Sequence, residues 1–208
     1  MTGELWVEKA FKLLHHYISQ YTKDTNIPPE WVAGLIFVEC ASLNPKASRF
    51  EQNVYTSVMW TKKGNVSTAF PGFRFGKIQH TIYNTNDISK LKSIATSYGL
   101  GQMMGYNYID KWDLKPEQYM NLSIEDSIKY LVLFMKLNME KVHFPYIEKS
   151  TTKILPYAQL LRCHNTGKTT GTTYNPDYVK NATEMADKYK QYAEKQGSII
   201  NGPTEIKF

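Results

Sequence analysis

The sequence predicts a mainly α-helical single domain over residues 1–208, with a small β element around residues 50–86. Three observations carry this. Apolar residues recur at three-four spacing through long stretches. Helix-start signals stand in front of several of those stretches. The chain has 208 residues and 42% apolar content, enough for one good core, and it shows no internal repeat, low-complexity segment or linker.

Leu5 to Tyr21 carries Val7, Ala10, Phe11, Leu14, Tyr17, Ile18 and Tyr21 on one stripe and reads as an amphipathic helix. Ile27-Pro28-Pro29 stops it and restarts the chain, with Pro29 suited to a first helical turn. A second helix runs from there to about Ser42. Residues 50–86 are less regular, and Phe70 to Gly76 is turn-rich and aromatic. Asp87 is placed to cap a helix from Ile88 to Ala95. Ser97 to Gly105 reads as a tight turn between helices, followed by a helix into Ile109 and Trp112. Ser123-x-x-Asp126 is a capping-box signature opening a helix to about Val142. The centre of that helix, Tyr130 to Met135, is apolar nearly all round, which predicts burial. A helix over Ile154 to Cys163 ends near Asn165 and Gly167. Asn175-Pro176 starts a last one, with Tyr178, Ala182, Met185, Tyr189 and Tyr192 on one face. The core is expected over 28–192 and a polar tail over 197–208.

The net charge of +6 and pI of about 9.1 suit a polyanionic partner. The lysines are scattered and form no basic stripe, which speaks against nucleic acid. Met1 to Trp6 has no basic or apolar leader region, and no run of about eighteen apolar residues occurs. The chain is expected to carry no transmembrane segment and to act as a monomer. Cys40 and Cys163 are too few for a disulfide framework. They read as two buried thiols, with pairing left open. The histidines lack metal-ligand spacing and no His-Glu-x-x-His occurs, so no metal or other cofactor is expected.

Three blocks carry the chemistry. In the first, Glu39 falls on the apolar stripe of Val32, Leu35 and Ile36, near the end that Asn44-Pro45 gives the second helix. Desolvation and the negative end of the helix dipole both disfavour an ionised carboxyl there. That suits a general acid for glycosidic bonds. In the second, Gly99, Gly101 and Gly105 bracket Gln102, whose amide suits an N-acetyl group. The third is His164-Asn165-Thr166-Gly167. The alternative for Glu39 is a structural carboxylate tied to a buried Arg.

In this order, the blocks resemble the lysozyme-like superfamily: soluble lytic transglycosylases, goose-type lysozymes and phage-type N-acetylmuramidases. Glu39 with Asn44-Pro45-x-Ala47 is similar to the superfamily's Glu-Ser-x-x-x-Asn-Pro-x-Ala, with Cys40 in place of Ser. Ser97 to Gly105 is similar to its Gly-Leu-x-Gln-Met stretch. His164 to Gly167 is similar to its Tyr-Asn-x-Gly, so the resemblance implies an imidazole where the family has a phenol. It implies a lysozyme-like helical fold over residues 28–192 and cleavage of the β-1,4 bond between N-acetylmuramic acid and N-acetylglucosamine in peptidoglycan. Glu39 would be the catalytic acid and base. Ser97, Tyr98, Gly99, Gly101, Gln102, Tyr106, His164 and Asn165 would bind the glycan strand. Phe73 and Tyr108 are further groove candidates, since flat rings suit sugar faces.

Arg49-Phe50-Glu51 resembles a Phe-Glu element of the phage-type enzymes, which makes Glu51 a second catalytic candidate. Its other reading is an ion pair with Arg49 or Arg74. Hydrolysis and transglycosylation both remain open, with a lean to the hydrolase. The chain is expected to reach the wall after release, by phage delivery or by a separate export route. A reading of a different class is a non-catalytic wall-binding component of a phage tail or secretion device.

Overall fold

In the computed structural model, α-helices account for most of the fold, and one small antiparallel sheet of three strands completes it. The structure describes the backbone of residues 3–146 and 154–197, and the side chains of 3–140 and 157–197. The expected tail beyond Gly197 lies outside the described residues. Contacts gather the chain into two compact units, Met1–Leu43 with Glu125–Phe208, and Asn44–Ile124.

The first unit is helical. Its α1 (Gly3–Thr22) buries Val7, Ala10, Leu14 and Ile18 of the predicted stripe, and Trp6 beside them, while Phe11, Tyr17 and Tyr21 are half-buried. Val7, Leu14 and Ile18, removed from water, each contribute about 1.5–3 kcal/mol. Its α2 (Pro29–Cys40) starts with proline in the first turn and buries residues on nearly every side, so it is the unit's central helix. α8 (Ile124–Tyr146) has Glu125 and Asp126 in its first turn, favourable at the positive end of the helix dipole. The expectation that its centre is buried all round is corrected. Leu131, Val132 and Met135 face the core, whereas Leu133 is 36% exposed. α9 (Ile154–Thr166) follows, then α10 (Tyr178–Lys195), which buries Tyr178, Ala182, Met185, Ala186, Tyr189 and Ala193.

Gly34 explains how closely α2 and α10 approach. A Cβ at this position would lie 2.3 Å from the Ala182 carbonyl oxygen and 2.5 Å from Tyr157 Oη. Tyr157 stacks on Trp31 at 4.8 Å and donates its hydroxyl to the Trp31 carbonyl at 2.9 Å, tying α9 to α2. Trp6 Nε1 donates to the Ala41 carbonyl at 2.9 Å, which satisfies one of the acceptors left over at the end of α2.

The second unit holds the sheet and short helices. Strands β1 (Ser48–Phe50), β2 (Thr96–Tyr98) and β3 (Met103–Met104) pair antiparallel in that order, with Arg49 opposite Ser97 and Tyr98 opposite Met103. The sheet was expected within 50–86. Instead that segment is mostly helical, with α3 (Gln52–Lys62), a 3-10 turn (Pro71–Phe73) and α4 (Gly76–Asn84). α5 (Ile88–Ile94) has the expected cap, with Asp87 accepting from the Ser89 and Lys90 amides. Ser97 to Gly105 is not a helix–helix turn but a hairpin that leads into α6 (Gly105–Trp112) and the short α7 (Pro116–Tyr119). Its last glycine is obligatory, because a Cβ on Gly105 would fall 2.1 Å from the Ser93 carbonyl oxygen.

Candidate functional site

Glu39 is the penultimate residue of α2, and its side chain is only 9% exposed. The Tyr178 hydroxyl donates to Glu39 Oε1. His164, in the last turn of α9, brings Nε2 to 3.9 Å from the same oxygen, and its own side chain is 3% exposed. Phe134 meets the His164 ring edge-on, with centroids 5.5 Å apart at 80°. Among the described residues no lysine or arginine pairs with Glu39. The structural alternative, a carboxylate tied to a buried arginine, therefore finds no arginine here.

Local geometry explains this trio. The Asn175 side chain accepts from the Asp177 amide at 2.9 Å, and the Asn175 carbonyl accepts from the Tyr178 amide at 3.1 Å. That turn sets Tyr178 as the first residue of α10. Ala182, one turn further, rests against Gly34, and Glu39 lies just over one turn beyond Gly34 on α2. The two helices are thus antiparallel along this contact, and Tyr178 reaches Glu39. Tyr178 was expected only as a face residue of the last helix. The signal available in the sequence is its place two residues after Pro176, at the very start of the last helix and on its buried face. The Tyr178 phenol and the His164 imidazole thus both approach Glu39 Oε1.

Asn165 belongs to the same turn of α9 and is exposed. Gly167 follows with φ +75° and donates its amide to the Cys163 carbonyl at 2.8 Å, closing the helix. Cys40 and Cys163 are both buried and are not joined in a disulfide.

The remaining expected site residues belong to the second unit. Gly99 has φ +77°, and Gln102 has φ +45°, a conformation uncommon for a residue with a side chain. The Gln102 amide is heavily engaged. Its Nε2 donates to the Ala47 carbonyl at 3.1 Å and the Gly99 carbonyl at 2.9 Å, and its Oε1 accepts from Ser97 Oγ at 2.9 Å. Both donors expected to meet a substrate amide are thus spent on backbone, one on Gly99 within the hairpin and one on Ala47 just before β1, and Ser97 is fully buried. Gly101 is buried in the same turn. Tyr98 is 8% exposed and Tyr106 half-buried, and burial raises both phenols above their ordinary pKa. Two expected groove residues prove to be core. Phe73 is 2% exposed and packs edge-on against Tyr106, and Tyr108 is fully enclosed and stacked on Tyr119 at 5.4 Å. Glu51 precedes α3, and its Oε1 lies 2.6 Å from Arg49 Nε in an exposed ion pair, the non-catalytic arrangement foreseen for it.

Among the described residues no group of three or more His, Cys, Asp and Glu side chains could hold a metal, and no helix is long and apolar enough to cross a membrane. No family model, curated protein or solved structure matches the chain.

Proposed function

We propose that this protein cleaves peptidoglycan at the β-1,4 bond between N-acetylmuramic acid and N-acetylglucosamine, with Glu39 as the catalytic acid. The observation that carries the reading is an enclosed carboxyl met by a phenol and an imidazole and, among the described residues, by no lysine or arginine. Tyr178 occupies Oε1, which leaves Oε2 to give its proton to the leaving glycosidic oxygen. Once the proton has gone, the Tyr178 bond becomes charge-assisted and stronger. The group therefore stabilises the acid's conjugate base more than the acid, as transition-state stabilisation requires. Glu39 then takes a proton from the group that attacks the anomeric carbon. The resemblance to the lysozyme-like superfamily, on Glu39, the Ser97–Gly105 block and His164-Asn165-Thr166-Gly167, supports the same reading.

Glu39→Gln tests it. The variant keeps the shape and loses the transferable proton, so lysis of purified peptidoglycan should fall by about a hundredfold to ten-thousandfold while the fold persists. Near-normal clearing by the variant would remove Glu39 from the chemistry.

A second reading is a lytic transglycosylase, in which the sugar's own 6-hydroxyl attacks and the product is a 1,6-anhydro sugar. The pairing of Glu51 with Arg49 at an exposed edge favours it, since no second carboxylate need position water. Glu51→Gln should then retain most activity, with anhydro ends seen by mass spectrometry. A loss of about a hundredfold in a folded variant, with reducing ends, would restore Glu51 to the reaction and the enzyme to the hydrolases.

A further inference from the structure

The unit that holds Glu39 also contains an open cavity of about 770 Å³ between α9, the start of α10 and the loop of residues 167–177. We propose that this cavity binds the carboxylate end of a short peptide, and that the peptide is the stem carried by the glycan. This rests on the peptidoglycan reading above.

The polar groups of the cavity point to that ligand. Gln159 and Arg162 stand three residues apart, on one face of α9. Gln159 is 7% exposed, and neither side chain hydrogen-bonds or ion-pairs with a described residue. The Gln159 carboxamide therefore keeps its donors and its acceptor uncommitted to the described protein and open to a ligand in the cavity. The guanidinium presents a planar fork of donors that matches a carboxylate bidentately. Thr169, Thr170 and Thr172 add hydroxyls that no described residue engages, and no acidic side chain lines the cavity. Tyr174 lines it too and is fully exposed, offering a flat face to an apolar stem residue. A phosphate would use donors alone. The carboxamide supplies an acceptor as well, and a peptide bond presents both complements.

The loop has a defined shape. Thr166 Oγ1 donates to the Arg162 carbonyl at 2.8 Å and accepts from the Lys168 amide at 3.2 Å. Gly171 packs so closely that a Cβ would lie 1.8 Å from Thr166 Oγ1. Thr173 Oγ1 donates to the Asn175 carbonyl at 2.7 Å. The same loop ends at Tyr178, the partner of Glu39, and Arg162 is two residues from His164. The cavity and the acid are therefore built on the same two elements, α9 and the start of α10.

The test measures binding without catalysis. The synthetic stem peptide L-Ala-γ-D-Glu-L-Lys-D-Ala is titrated calorimetrically into the full chain, into Arg162→Gln and Arg162→Lys, and into Thr172→Val, which changes an exposed loop residue if the Arg162 variants fold poorly. The expected result is binding by the wild type, at least tenfold weaker binding by Arg162→Gln, an intermediate loss for Arg162→Lys and a several-fold loss for Thr172→Val. Amidating the peptide's carboxylates should weaken binding as Arg162→Gln does. No binding, undiminished binding by folded Arg162→Gln, or displacement by inorganic phosphate as the tighter ligand would each overturn the proposal. Peptide binding alongside a fully active Glu39→Gln would mean that the glycosidase reading fails while this site stands. An inactive Glu39→Gln with no peptide binding would mean the reverse.

Discussion

Tyr178→Phe isolates the contact on which the catalytic reading turns. The substitution deletes one oxygen and keeps the ring, which is 5% exposed and part of the buried face of α10. The lost hydrogen bond runs to Glu39 Oε1. A bond to a charged partner contributes about 1.5–3 kcal/mol, and in the proposed reaction Glu39 gains its charge on giving up the proton. Most of that energy should therefore appear in the barrier. At about 1.4 kcal/mol per factor of ten, kcat should fall about tenfold to a hundredfold, with KM little changed. The thermal midpoint should move by only a few degrees, since packing is retained. The assay is release of soluble muropeptides from purified peptidoglycan, with initial rates read over a range of substrate concentrations. A variant with full kcat would refute the reasoning, because Tyr178 would then be only a structural partner. A variant with intact kcat and raised KM would place the hydroxyl on substrate instead of on the acid.

Two further predictions concern the parts around the site. Gln102→Ala removes three hydrogen bonds, two inside the hairpin and one to Ala47 before β1, together about 1.5–4.5 kcal/mol, so thermal stability should drop by several degrees. An unchanged melting temperature with raised KM would show that the amide faces substrate after all. Glu30, in the first turn of α2, has a buried oxygen with no hydrogen-bond partner, and burial raises its pKa above the ordinary carboxyl value of 4.5. A raised folded-state pKa favours the fold below the ordinary value and loses that contribution as pH rises through the folded value. Glu30→Gln should therefore melt higher than wild type at pH 7, and the gain should vanish near pH 4. Equal melting curves at pH 7 would mean that the charged carboxylate is accommodated without cost.

What could be read in advance depended on how far along the chain the cause lay. The stripe of α1 and the Asp87 cap of α5 are local, and both appear where their residues predict. The α3 helix was hidden because its buried face is Ser57, Val58 and Thr61, and two of those three are polar. The buried Ser57 Oγ accepts from the Phe70 amide at 2.6 Å, so its burial depends on a loop thirteen residues away. The hairpin was hidden for another reason. Its strands are three and two residues long, too short for alternation to register, and its turn depends on the left-handed Gly99 and Gln102. Gln102 was read as a ligand-facing amide because the sequence shows the residue but not the Ala47 and Gly99 carbonyls that consume its donors. The same limit applied to the acid. Glu39 could be picked out as a carboxyl on an apolar stripe. Its phenol partner lies 139 residues further on, and only the close passage of α10 over Gly34 brings the two together. Gly34 is therefore as much a determinant of the candidate site as Tyr178. A side chain at position 34 would push α10 away from α2, and the Tyr178 hydroxyl would move with it.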